Sequence, residues 1–172
     1  MSVEKAKKAF EQGTMSAIKG DFEKAINEFS EAIKNDPSNA EYYTNRAMIY
    51  AQTKQIKQAI DDSSKAISLD SNNTIAYRTR GMAYASLDQN DEAIKDLDEA
   101  IKRDDNDKIA YMCRGTAYMR KISQANNLLL QIGLNQRAKS DFEKVISLNP
   151  DPYTLSQAQK MLNITIQNEK MV

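Results

Sequence analysis

The sequence predicts an all-α chain assembled from stacked helical hairpins, and three observations carry that reading. The stretch Thr74–Asp107 recurs when it is slid back thirty-four residues, and its first half recurs when it is slid forward by the same step. A fixed period in this range marks repeated supersecondary units. Glycine and proline number only 5 and 3 in 172 residues, while Ala, Leu, Lys, Glu and Gln abound, a composition that favours helix throughout. The apolar residues fall at helical spacing, as in Ala25, Ile26, Phe29, Ala32 and Ile33, which form one stripe of a half-buried helix.

Taken in order, the first helix is expected from about Val3 to Lys19, with a light apolar side of Ala6, Ala9, Phe10, Ala17 and Ile18. Gly20–Asp21 makes the turn. The second helix runs Phe22 to Asn35 and stops before Pro37, and Asn39 opens the next unit. The following units repeat Tyr43, Tyr77 and Tyr111; Arg46, Arg80 and Arg114; and Tyr50, Tyr84 and Tyr118. Ala25, Ala59 and Ala93 keep the same step, as do Ala32, Ala66 and Ala100.

The fourth unit departs from this pattern. Tyr118 to Ala138 spans twenty residues where the other units use nine, an insertion of eleven, close to three helical turns. Gly133 precedes Ala138 by five residues, as Gly20 precedes Ala25, so the turn is placed at Gly133–Leu134. The stripe Tyr118, Ile122, Ala125, Leu129, Ile132 keeps helical spacing and predicts one long helix over about Lys108 to Ile132, with Asn126–Asn127 the point at which it would break. The last segment opens with Asp151 as N-cap and Pro152 at the first helical position. Leu155, Ala158, Leu162 and Ile166 then form the stripe of a helix from Pro152 to about Glu169.

Composition bounds the function. Basic and acidic side chains are equal, 24 each, so no global bias points to nucleic acid or a membrane surface. A single cysteine, Cys113, excludes an internal disulfide framework and fits a reducing compartment. Histidine is absent, which removes the commonest general base and zinc ligand. The N-terminus is charged, with no apolar core of a secretory signal, and no apolar run approaches the roughly 20 residues of a membrane span. A cytoplasmic protein is expected, without cofactor, metal or catalytic residues. With no phosphate-binding loop and no clustered nucleophile and base, nothing proposes an enzyme.

The repeated residues resemble the tetratricopeptide repeat family. Gly13, Ala25, Phe29, Ala32 and Pro37 fall on that family's pattern; so do Ala47, Tyr50, Ala59 and Ala66; Gly81, Tyr84, Ala93, Leu97 and Ala100; and Gly115, Tyr118, Ala138, Phe142, Val145 and Pro150. The resemblance implies a right-handed α-solenoid of four hairpins plus a C-terminal capping helix, one domain over residues 1–172. Its units would be about 6–39, 40–73, 74–107 and 108–152, with the eleven added residues near 119–130 and the cap helix at about 152–169. Two departures stand out: Ser16 occupies the aromatic position of the first unit, and Ser63 the large-residue position of the second.

The family's first helices line a concave groove. Its variable positions map here onto Phe10, Thr14 and Ala17; Thr44, Asn45, Met48 and Gln52; Ile75, Arg78, Met82 and Ser86; and Ile109, Met112, Cys113, Thr116, Met119 and Arg120. Methionines on an open groove suit an apolar or helical peptide; the alternative makes some of them core residues. The expected contacts are Asn45, donating to a ligand backbone, with Met48, Arg78, Met82, Met112, Thr116 and Met119. Some members hold acidic chaperone tails in a carboxylate clamp of Lys and Asn, then Asn, then Lys and Arg. Those positions here hold Phe10, Thr14, Asn45, Ile75 and Thr79, and only Asn45 matches.

The ladder Arg46, Arg80, Arg114 could bind an acidic peptide, but acids recur in the second helices at Glu28, Asp62, Asp96 and Asp141, which favours a structural ion pair between helices. Cys113, with no activating histidine, reads as inert. Asp88 and Asp91, and Asp104, Asp105 and Asp107, read as turns and caps, because they lack the glycine and closing glutamate of a calcium loop. Leu128, Leu129 and Leu130 in the insertion either fold over a neighbouring helix or contact another molecule. The function expected is a protein-interaction scaffold or adaptor binding a peptide of another protein. The alternative is a structural protein that self-associates into a homodimer through Leu128–Leu130.

Overall fold

The structure, a computed structural model, describes residues 2–170. These form nine α-helices and no strand: α1 (Ser2–Ile18), α2 (Phe22–Asn35), α3 (Ala40–Gln52), α4 (Ile56–Leu69), α5 (Thr74–Ser86), α6 (Asn90–Arg103), α7 (Lys108–Ile122), α8 (Leu128–Ser147) and α9 (Pro152–Lys170). The all-α expectation holds. The chain divides into two compact units, Met1–Ala83 and Tyr84–Val172, with the boundary inside α5.

The turns explain why the repeat keeps its period. Gly20, Lys54 and Asp88 stand thirty-four residues apart and all adopt positive φ, at 80°, 61° and 57°. Two residues of backbone hydrogen bonding lock each one. Asp21, Gln55 and Gln89 donate to the carbonyls of Ser16, Tyr50 and Tyr84, while Gly20, Lys54 and Asp88 donate to those of Ala17, Ala51 and Ala85. This is the Schellman termination, which satisfies the last carbonyls of a helix through one left-handed residue. Only the first copy signals it with glycine.

The turns between successive repeats are periodic too. Asp36, Asp70 and Asp104 each accept from the amide two residues on, at 3.2, 2.9 and 3.0 Å. Asn39, Asn73 and Asp107 then cap α3, α5 and α7 by accepting from Glu41, Ala76 and Ala110 amides. The aspartates read as caps and turns are caps and turns.

In the first unit the core passes from helix to helix. Ala6 and Ala9 pack with Ala32 and Tyr42; Ala25 and Phe29 with Ile49; Tyr43 with Ala66 and Ala76. Phe10 bridges the first two clusters, its ring centroid 5.7 Å from Phe29 and 5.1 Å from Tyr42. In the second unit, Tyr118 of α7 packs with Leu134, Ala138 and Phe142 of α8, and Leu162 of α9 closes over them. Each hairpin carries an apolar face that only a neighbouring helix can cover.

The small residues of the first helices allow the hairpins to close. A Cβ on Gly13 would sit 2.7 Å from the Phe29 ring, and one on Gly115 would sit 2.8 Å from the Phe142 ring. The equivalent positions of the second hairpin hold two small residues, Ala47 and Ser63. Both are fully buried, and the Ser63 hydroxyl has no hydrogen-bond partner.

Arginines join the helices as the structural reading expected. Arg46 on α3 donates from Nε and Nη2 to both oxygens of Asp62 on α4, at 2.7 and 2.8 Å, and from Nη1 to Ser30 Oγ on α2, at 2.8 Å. Arg114 on α7 does the same with Asp141 on α8, at 3.0 and 2.6 Å, and with Asp98 on α6, at 2.6 Å. Arg80 reaches Ser64 Oγ at 3.0 Å. All three guanidiniums lie over the tyrosine one turn earlier, Tyr43, Tyr77 or Tyr111, at 6.0, 5.8 and 5.4 Å. Burial opposes the Arg114 charge, but its hydrogen bonds and attraction to Asp141 and Asp98 outweigh burial and raise its pKa above the ordinary arginine value.

The insertion corrects two expectations. There is no helix from Lys108 to Ile132: α7 stops at Ile122, and α8 begins at Leu128. Nor is there a turn at Gly133–Leu134, which lies inside α8. The chain breaks at Asn126–Asn127 because Asn127 is a strong N-cap, extended at φ −138°, ψ 148°, with its side chain accepting the Leu130 amide at 2.7 Å. Gln131 tightens the loop by donating to the Ala125 carbonyl at 2.8 Å. The stripe that suggested a continuous helix was misleading: Leu129, placed on it, is 83% exposed, whereas Leu134, assigned to the turn, is 5% exposed. The added residues lengthen mainly α8, to 20 residues against the 14 of α2, α4 and α6.

The two helical glycines of α7 and α8 should respond oppositely to alanine. Nothing lies within 4 Å of a Cβ at Gly133, so Gly133→Ala is expected to stabilise by about 0.5–1 kcal/mol through helix propensity and a less flexible unfolded chain. Gly115→Ala forces Phe142 aside and is expected to lose about 1–2 kcal/mol net of that propensity gain. Urea denaturation of both variants measures the pair. Asp141→Ala, which strips the bidentate partner from a largely buried guanidinium, is expected to cost about 3 kcal/mol in the same assay. A loss no greater than that of an exposed pair would show that Asp98 alone can hold Arg114.

Candidate functional site

Once the repeating residues are placed in the core, the non-repeating positions of the first helices remain. On α3 these are Asn45 and Met48, both half-buried. On the part of α5 within the first unit they are Ile75, Arg78 and Met82. Ile75 and Met82 are exposed, Met82 at 37%, and Arg78 is half-buried. Ile75, Arg78 and Met82 stand three and four residues apart, so they share one face of the helix. Helical geometry puts Asn45 and Met48 on one face of α3 in the same way.

Asn45 has one of its two donors engaged within its own helix: its Nδ2 donates to the Glu41 carbonyl one turn back, at 2.9 Å. The clamp positions are also occupied otherwise: Phe10 is held between Phe29 and Tyr42, Thr14 donates to the Phe10 carbonyl at 3.0 Å, and Thr79 is buried.

In the second unit, Met112, Thr116 and Met119 lie on α7 with the exposed Ile109. Met112 and Met119 are half-buried and pack against the cluster of Tyr118, Leu134, Ala138 and Phe142. Thr116 donates to the Met112 carbonyl at 2.8 Å. The alternative role for methionine therefore applies to these two: part of each side chain is core, and part faces outward. Met161 of α9 packs against the same cluster and was not among the expected contacts. Register could have found it. Met48, Met82 and Thr116 are successive repeat positions, and Met161 is the next once the inserted residues are allowed for.

Leu128, Leu129 and Leu130 occupy the first turn of α8 and do not fold over a neighbour; they are 52%, 83% and 45% exposed. Two cations of α7 are already paired: Arg120 with Asp88 and the Ala85 carbonyl, and Lys121 with Asp91. Cys113 is half-buried on α7. No helix among the described residues is long and apolar enough to cross a membrane.

Family models agree with this architecture. A model described as TPR repeat matches residues 13–54, and one described as Tetratricopeptide repeat matches residues 40–73, 76–107 and 127–152. The last match begins at the Asn127 cap, and the matches leave out all of α7 and residues 123–126. Small glutamine-rich tetratricopeptide repeat-containing protein 2 of Saccharomyces cerevisiae is 45% identical over 47 residues, which is 27% of this chain and only 14% of that protein. Among solved structures, the Arabidopsis OM64 TPR domain superposes with a TM-score of 0.68 at 31% identity, covering 69% of this chain and 98% of that one. The first TPR of Spaghetti (RPAP3), bound to the HSP90 peptide SRMEEVD, gives 0.63 at 32% identity, covering 71% and 93%. With matches over most of its length and the repeated small, aromatic and ion-pairing positions in place, the chain belongs to the tetratricopeptide repeat family.

Proposed function

We propose that this protein is an interaction module that binds a peptide segment of another protein on the outward faces of its first helices. The contacts are Asn45, Met48, Arg78 and Met82 in the first unit, and Met112, Thr116 and Met119 in the second. The reading rests above all on a division of labour within each helix. The repeated alanines and glycines are buried and the repeated arginines are held by neighbouring helices, while three varying residues, Ile75, Met82 and Ile109, are exposed and apolar. An exposed run of isoleucine and methionine on a rigid helix serves recognition rather than stacking. The fold is typically a non-enzymatic protein-interaction module, and the related Spaghetti domain was solved with a bound peptide.

The ligand chemistry differs from that of the HSP90 peptide. An acidic tail needs cations and amides to neutralise its carboxylates, and Phe10, Thr14, Ile75 and Thr79 supply none at the positions where a clamp would hold them. The outward residues favour a segment that presents apolar side chains, with Arg78 the only cation in this set. Leucine, isoleucine or methionine on an amphipathic helix would fill such a surface.

Two measurements test the proposal. Titration of the peptide SRMEEVD into the chain should give no saturable binding in the micromolar range; saturable binding that Asn45→Ala abolishes would restore the clamp. Ile75→Glu with Met82→Glu changes two exposed side chains, so helicity and melting temperature should be retained. The double variant should lose at least about tenfold in affinity for a partner isolated by capture on the wild-type chain. Undiminished binding by the folded variant sinks the assignment of these faces.

A further inference from the structure

We infer that Leu128, Leu129 and Leu130, at the exposed start of α8, dock a short amphipathic segment of a second protein, one whose apolar side chains stand next to a carboxylate. This surface is made of other residues than those proposed above, so it fails or stands independently of them. It exists because of the insertion: α8 begins ten residues before Ala138, whereas α2 begins three before the equivalent Ala25. Its first turns therefore carry leucines that no other repeat has. Consecutive residues point about 100° apart around a helix, so the three leucines fan round the helix end instead of facing one neighbour.

Size argues against a second copy of the chain. Three leucines exposed to this degree offer an apolar patch on the order of 300 Å², under half of the roughly 800 Å² per partner that a stable interface buries. A peptide segment needs no more. Charge argues against a lipid surface. Anionic membranes attract dense, uncompensated positive charge, but Arg120, Lys121 and Lys139 are already paired with Asp88, Asp91 and Glu169.

One cation breaks that compensation. Arg137 is exposed, lies 5.8 Å over the Tyr118 ring, and has no carboxylate within ion-pair distance among the described residues. It follows Leu130 by two helical turns and lies on the same stripe of α8. The chain from Lys108 to Ser140 contains six basic residues and not one acid. A partner that brings an acidic side chain beside its apolar ones would cover the leucines and meet Arg137 with a charge-assisted hydrogen bond.

The test uses two short synthetic helical peptides with leucines along one face, flanked by glutamates in one and by lysines in the other. They are titrated into the full chain and followed by amide NMR shifts. The glutamate peptide should shift signals of residues 126–137. Leu129→Asn should weaken it at least about tenfold, with helicity unchanged because that side chain is almost wholly in solvent. Arg137→Gln should weaken the glutamate peptide and leave the lysine peptide as it was. The proposal is overturned if the glutamate peptide does not bind, if both peptides bind alike, or if the shifts fall on α3 and α5. It is equally overturned if the wild-type chain forms a dimer by light scattering that Leu129→Asn dissolves, or binds phosphatidylserine vesicles in a manner that Leu129→Asn abolishes.

Discussion

One guanidinium in each of the last three repeats ties its helices together. Arg46 takes both oxygens of Asp62 on the helix that follows it and the hydroxyl of Ser30 on the helix before it, with Tyr43 and Tyr50 beneath. Hydrophobic contact alone would let α2, α3 and α4 slide past one another, since apolar packing is non-directional. A planar fork bonded on three sides allows little such freedom. Arg114 repeats the arrangement with Asp141 and Asp98, and there the backward contact becomes a second ion pair. These arginines set the register between helices, and the alanines and glycines set the distance.

The insertion shows what that constraint tolerates. Arg46 and Asp62 are sixteen residues apart, and Arg114 and Asp141 are twenty-seven apart, yet both pairs are bidentate. The eleven extra residues were absorbed without moving either partner off its helix face. They leave through the loop at 123–127 and return along the first turns of α8, beyond the point where the pairing face begins. Gly115 still receives the Phe142 ring as Gly13 receives Phe29. The added material therefore lies outside the packed part of the repeat, which is why its leucines remain in solvent.

Much of this was legible in the residues, because stacking demands the same side chain at the same place in each copy. The tyrosines, arginines, alanines and capping aspartates announce themselves by recurrence, and α2 and α9 begin where their caps predict. The fourth unit departs from its sequence pattern for a physical reason. A helical stripe continued through Ile122, Ala125 and Leu129, and Gly133 sat where Gly20 marks a turn, so two medium-range cues agreed on the wrong answer. A short-range one decided the matter, the Asn127 side chain closing on the Leu130 amide. Lys54 and Asp88 show the converse: they hold the left-handed turn position without any glycine to advertise it. Recurrence also cannot tell a methionine on a surface from one that seals a core. Met82 and Met112 read alike in the sequence, but one is exposed and the other packs against Tyr118 and Phe142.

Function in such a chain must be sought where the repeat fails. A residue that recurs at every thirty-fourth position is explained by packing and carries no information about a particular partner. Asn45, Met48, Arg78 and Met82 sit between the recurring residues on the same helices, at positions whose residue changes along the chain. The same reasoning covers the start of α8. Its leucines are exposed on a helix anchored further along by Leu134, Ala138 and Phe142, and exposing apolar surface in water is unfavourable unless something covers it. The packed half of α8 supplies the rigidity and the inserted half supplies the surface, so a peptide can be bound there without reorganising the repeat beneath it.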